Sequence, residues 1–177
     1  LNKKSEIVNG FKELKDLKGS IYFNKVSLTY NDTKIKALDN ISFKVNYGES
    51  LGILGKVGSG KTSILDLIAR VYDPNSGTIY IDNVELKNLN LNKLRSQIGY
   101  VPQNPFLFSE SISENIKFGK INSTLEEIKN ASEKANVSID IENFSKKYDT
   151  IIGERGLTLS GGQIQMISLA RALISNP

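Results

Sequence analysis

The chain has 177 residues, 39% hydrophobic and 24% charged, with a net charge of +4, which suits one globular domain with a real core and excludes bulk disorder. It holds no cysteine and no histidine, which removes disulfides, thiolate and histidine metal clusters and histidine-based triads, and fits a reducing compartment. No apolar run approaches the roughly 18 residues of a membrane span, no signal-peptide pattern opens the chain, and the lysines are scattered rather than massed with aromatics, so no nucleic-acid partner is expected.

Residues 1–19 are polar and lysine-rich. Phe11, Leu14 and Leu17 are spaced for a short amphipathic helix, and the stretch reads as a linker from something upstream. Leu1 at the start and Pro177 at the end suggest a piece of a longer chain. Strand patterns follow at Ile21–Phe23 and Val26–Tyr30, then a turn at Asn31-Asp32, then an alternating strand from Ala37 to Val45. The apolar run Ser50–Leu54 reads as the next strand and Ser63–Arg70 as a helix. Asp73–Gly77 forms a turn into the strand Thr78–Ile81, a short polar helix lies near Leu91–Gln97, and Ile98–Val101 reads as a buried strand. From Gln103 the pattern turns helical. Ser111–Glu114 is capping-box-like, Ser123–Glu127 opens a helix with acids in its first turn, and a last helix runs from Gly161 to Ile174.

Between Ser50–Leu54 and the following helix stands Gly55-Lys56-Val57-Gly58-Ser59-Gly60-Lys61-Thr62, followed by Ser63. The spacing G-x-x-x-x-G-K-[ST] in a strand–loop–helix context is that of a phosphate-binding P-loop. Glycines let the backbone amides converge on one anion, and the helix N-terminus adds partial positive charge. Lys61 would reach the β- and γ-phosphates, and the Thr62 hydroxyl would ligate Mg²⁺. A second glycine-rich helix entry, Leu159-Ser160-Gly161-Gly162-Gln163, offers another anion site, with Ser160 as cap and two uncovered amides behind it.

Two single residues carry weaker signals. Gln103, after Pro102 at a strand end, has an amide able to ligate Mg²⁺ or hold a water, although most such glutamines are merely solvated. Tyr30, ending a strand upstream of the P-loop, could stack on a purine, although an ordinary edge-strand tyrosine would look the same.

In this order, these four features resemble the nucleotide-binding domain of ATP-binding cassette (ABC) transporters over about residues 20–177. The resemblance makes Gly55–Thr62 the Walker A loop, Leu159–Gln163 the LSGGQ signature, Gln103 the Q-loop glutamine and Tyr30 the aromatic that stacks on adenine. It implies an α/β fold: a RecA-like P-loop NTPase core, an N-terminal antiparallel β subdomain and an inserted helical subdomain over about 104–159. The implied cofactors are ATP and Mg²⁺, with Lys61 and Gln103 in the catalytic machinery and Thr62 and Gln103 on the metal. Tyr148-Asp149-Thr150 with Gly153-Glu154-Arg155-Gly156 is similar to the X-loop region of exporter-type members. Ser111–Ile116, after Pro105–Phe108, is similar to their coupling region.

In such proteins two domains sandwich two ATP molecules head to tail, the signature of one closing over the P-loop of the other. A transmembrane domain, usually fused upstream, follows that closure. The resemblance therefore implies a second nucleotide-binding domain and a membrane domain as partners, and a place at the cytoplasmic face of a membrane. Ile164 and Met166 depart from the pattern, standing where many members carry basic residues. The Walker B aspartate, catalytic glutamate, D-loop and switch histidine of the family come after the position of Pro177, so residues 1–177 alone are expected to bind Mg-ATP weakly and hydrolyse little. The alternative is a soluble ABC-type ATPase acting on DNA or the ribosome. A P-loop GTPase is excluded because N-K-x-D is absent and the only D-x-x-G, Asp16 to Gly19, precedes the P-loop.

Overall fold

The structure, a computed structural model, describes residues 7–13, 17–153 and 158–177. The chain divides into two compact units, Leu1–Arg95 and Ser96–Pro177.

The first unit is built on an antiparallel sheet of β1 (Ile21–Thr29), β2 (Lys36–Val45), β3 (Ser76–Ile81) and β4 (Val84–Glu85), in the order β2-β1-β3-β4. Phe23 lies opposite Phe43 on one side and Ile79 on the other. The sequence suggests two strands over 21–30, and the structure joins them. A register shift between Phe23 and Val26, where Lys25 takes a φ of 50°, lets both side chains point into the core despite their odd spacing. A bulge of this kind adds one residue and resets the alternation. Helix α1 (Lys61–Ile68) follows the P-loop and buries Ile64 and Leu67.

Arg70, just past α1, is 2% exposed. Its guanidinium donates to both Asp73 carboxylate oxygens at 2.8 and 3.2 Å and to the Val8 carbonyl at 2.8 Å. A buried charge is tolerable only when its donors are used in this way. The Val8 contact belongs to a larger docking of the lead-in segment. Lys12 bridges Leu89 in parallel, its N–H donating to Asn88 O at 2.9 Å, and Asn9 Oδ1 accepts from Leu91 N at 2.8 Å. Gly10 is buried, and a Cβ there would overlap the Asn88 carbonyl. The helix expected over Phe11, Leu14 and Leu17 is therefore not formed at Phe11, which has no regular secondary structure and an exposed ring. Pairing with residues 88–90 uses the amides that a helix would need. Leu14 lies outside the described residues.

Two further strand expectations fail. Residues 50–54 and 98–101 have no regular secondary structure and belong to no ladder among the described residues, and Leu51 and Leu54 are 49% and 98% exposed. An apolar run becomes a strand only when a neighbouring strand takes its N–H and C=O groups. The ladders described here all lie within β2-β1-β3-β4.

Helix α2 (Leu91–Ser96) closes the first unit. The second is helical, with α3 (Ile112–Lys117), α4 (Leu125–Lys134), α5 (Ser138–Glu142) and α6 (Gly161–Leu173) around Ile112, Ile116, Ile128, Ile141, Ile152 and Ile167. The caps follow the sequence. Ser111 Oγ accepts from Glu114 N at 3.1 Å, and Thr124 with Glu127 forms a complete capping box. Each such cap satisfies amides that the first turn leaves orphaned. A Cβ at Gly119 would overlap the Arg171 carbonyl, so this glycine lets the chain after α3 approach α6 closely.

Candidate functional site

The P-loop closes on its own lysine. Lys61 Nζ donates to the carbonyls of Gly55 at 2.8 Å and Lys56 at 2.7 Å. Gly58 and Gly60 take φ of 81° and 83°, a conformation open to glycine and strained for other residues. At Gly60 a Cβ would also overlap the Ala37 carbonyl, so no side chain fits there. Gly60 caps α1 without a side-chain hydrogen bond, and no acid occupies the first turn. The result is a helix N-terminus with uncapped amides, an ammonium and the exposed Thr62 hydroxyl side by side, which is the donor set that a polyphosphate requires.

Tyr30 is brought to the same place. Its hydroxyl lies 2.8 Å from the Oγ of buried Ser63, and its ring meets Tyr72 edge-on at 5.1 Å. A residue 25 positions upstream of Gly55 is thus pinned to the second residue after Lys61. Ser63 is held as a packing partner for Tyr30 as well as lying next to Thr62.

In the second unit the signature opens α6. Ser160 Oγ accepts from Gln163 N at 3.2 Å and Gln163 Oε1 accepts from Ser160 N at 3.0 Å, a capping box. The sequence reading foresees the serine cap but misses the reciprocal glutamine, although S-x-x-Q was the available signal. Gly161 has open space where a Cβ would stand, and at Gly162 the nearest atom is Ser160 Oγ at 3.9 Å. Neither glycine is demanded by packing or by a left-handed φ. What their missing side chains provide is uncovered backbone at the positive end of a helix. Gln103 is exposed, and its carbonyl accepts from Gln165 Nε2 on α6 at 3.3 Å. Gly153, at φ 102°, belongs to the X-loop-like stretch, while Glu154, Arg155 and Gly156 lie outside the described residues.

Two partners were not foreseen. Asp140 Oδ2 accepts from Gln163 Nε2 at 3.4 Å, and Arg171 binds Asn115 and Phe106. Burial alone pushes the Arg171 pKa below its ordinary value. The only sequence signal for it is an arginine set among the apolar residues of the last helix.

The family profile described as ABC transporter matches residues 38–177. The chain belongs to the ABC transporter family. Its fold is that of an ABC ATPase, a P-loop NTPase with an antiparallel β subdomain and added helices. The domain is 47% identical over 161 residues to an uncharacterized ABC transporter ATP-binding protein, YfiB, of Bacillus subtilis, covering 91% of this chain and 28% of that protein. It is 44% identical over 161 residues to the putative multidrug export ATP-binding/permease protein YgaD of the same species, again 91% of this chain and 28% of the relative. Among solved structures, a bacterial Atm1-family ABC exporter with ATP bound superposes with a TM-score of 0.84 at 33% identity, over 95% of this chain and 30% of that one. This ABC domain thus spans under a third of the length of these relatives.

Proposed function

We propose that this chain is the ATP-holding part of an exporter ATPase. One observation carries the reading. A phosphate cradle in which Gly58 and Gly60 are demanded by backbone geometry stands in the same chain as a signature whose glycines are not, which supports a ligand rather than the fold as the reason for the second pair. The P-loop amides and Lys61 bind the phosphates of ATP, and Tyr30 stacks on the adenine. The Thr62 hydroxyl would hold Mg²⁺, with the Gln103 amide proposed as a further ligand, and the ion would supply neutralisation of phosphate charge. Ser160, Gly161, Gly162 and Gln163 close over the ATP of a second nucleotide-binding domain, head to tail.

Among the described residues no helix is long and apolar enough to cross a membrane. By analogy with the ATP-binding/permease relative, we place the domain at the cytoplasmic face of a membrane through a permease partner. That relative favours an exporter over a soluble ATPase acting on DNA or the ribosome. The surface around 105–118 is the one we assign to the membrane domain's intracellular loops.

A polypeptide of residues 1–177 is expected to bind Mg-ATP weakly with little turnover, since its signature is proposed to act on the nucleotide of a second domain. Steady ATP hydrolysis by that polypeptide, lost on changing Lys61, would overturn this part of the reading. Tyr30 gives a separate check. Tyr30→Phe keeps the ring and should leave ATP affinity nearly unchanged, whereas Tyr30→Ala should weaken it by about 1–3 kcal/mol, the range for base–aromatic stacking. Equal affinity for all three forms in calorimetric titration would remove Tyr30 from the site.

A further inference from the structure

Helix α6 carries the signature at its first residue and Arg171 ten residues later, roughly 15 Å along the axis at 1.5 Å per residue. The Arg171 guanidinium makes three hydrogen bonds, all to the segment 106–115. Nε donates to Asn115 O at 2.8 Å, one terminal nitrogen to Asn115 Oδ1 at 2.9 Å and the other to Phe106 O at 2.8 Å. Asn115 is fully buried on α3, and its side chain fixes the same loop from below. Its Oδ1 accepts from Phe108 N at 2.8 Å, and its Nδ2 donates to the carbonyls of Phe108 and Ser111 at 3.0 Å each.

Above this polar knot lies a group of rings. Phe108 meets Phe106 edge-on at 5.2 Å and Phe118 at 4.9 Å, and the guanidinium carbon stands 5.7 Å from the Phe108 ring and 5.9 Å from the Phe118 ring. Yet Phe106, Phe118 and Phe108 are 68%, 63% and 38% exposed. A half-buried arginine using its planar fork to hold exposed aromatics does not serve the core; it presents a surface. Because the fork is rigid and its acceptors are backbone carbonyls and a fully buried amide, the patch cannot shift independently of α6 without breaking charge-assisted bonds.

We infer that Arg171 is the positioning residue that joins this aromatic patch to the signature helix, so that a change at Gly161 and Gly162 is delivered to the surface facing the membrane domain. This rests on the proposed roles of the signature and of the 105–118 surface. The test is hydrogen–deuterium exchange on the full-length parent transporter, with and without Mg-ATP plus orthovanadate.

In the parent, exchange should slow about threefold or more in peptides covering 158–165 and 106–118, a shift well within what local stability changes produce. Arg171→Lys keeps the charge and loses the fork. It should keep the response at 158–165 and lose that at 106–118. Phe118→Leu, whose exposed ring puts no core at stake, should lose part of the second response only. A full response at 106–118 in Arg171→Lys overturns the inference, as does an equal loss in both peptides, which a merely structural arginine would give. If Arg171→Lys does not fold, an undiminished second response in Phe118→Leu overturns it instead. A parent that responds at neither peptide refutes the signature reading itself and the inference with it.

Discussion

Lys61→Ala should abolish Mg-ATP binding, or weaken it at least about 100-fold, about 2.8 kcal/mol at 1.4 kcal/mol per decade. The ammonium is aimed into the loop, where it donates to the Gly55 and Lys56 carbonyls. Removing it deletes a charge-assisted contact with the phosphates, worth about 1.5–3 kcal/mol, and frees the loop to lose its wrapped form. The fold should barely notice, because the Lys61 contacts in question are made at an exposed loop rather than in the core. Calorimetric titration beside a thermal melt separates the two effects. An ATP affinity matching the parent, in a folded Lys61→Ala protein, would remove the P-loop from the site.

Gly161→Asp should move stability and activity in opposite directions. The position is open, its φ is not left-handed, and the first turn of α6 holds no acid. A carboxylate there complements the helix dipole and should raise stability by about 0.3–1 kcal/mol. In the full-length transporter the same charge would face the phosphates of the partner's ATP. Turnover should fall by about 10²–10³, the range for losing one preorganised donor at a site of developing charge. Gly161→Ala should fall between the two, since a methyl group covers the amides without repelling phosphate. A Gly161→Asp transporter that is folded and turns ATP over at the parent rate would show that the signature glycines do not meet nucleotide.

These two glycine sites show how the site's legibility was divided. The P-loop could be read from eight residues because its geometry is local. The left-handed φ of Gly58 and Gly60 sets the loop's path, and the helix that supplies the dipole begins at the residue after Gly60. Capping is local for the same reason, and Thr124 with Glu127 or Ser160 with Gln163 needs only a spacing of three. Tyr30 is intermediate. Its residue type suggests stacking, but its place beside the P-loop is set by the fold, which brings its hydroxyl to Ser63, 33 residues away.

The rest depended on partners that no spacing rule reaches. Residues 50–54 carry a strand's composition and yet form no ladder, because strand formation is a property of a pair and not of a segment. In the lead-in segment, where Phe11, Leu14 and Leu17 are spaced for a helix, Asn9 and Lys12 are instead held by hydrogen bonds to Asn88, Asn90 and Leu91, about 80 residues on. The Arg171–Asn115 knot joins positions 56 residues apart. An arginine among apolar residues does not reveal whether it will be solvated or will find two backbone carbonyls and a side-chain amide oxygen converging on it. The sequence by itself determined the phosphate loop, the signature and the family, since each is written in contiguous residues whose backbone geometry they dictate. Only the tertiary structure decided which extended segments became strands, where the lead-in docks and which side chain ties the aromatic patch to the signature helix, because those outcomes turn on which distant group arrives to satisfy a donor or acceptor.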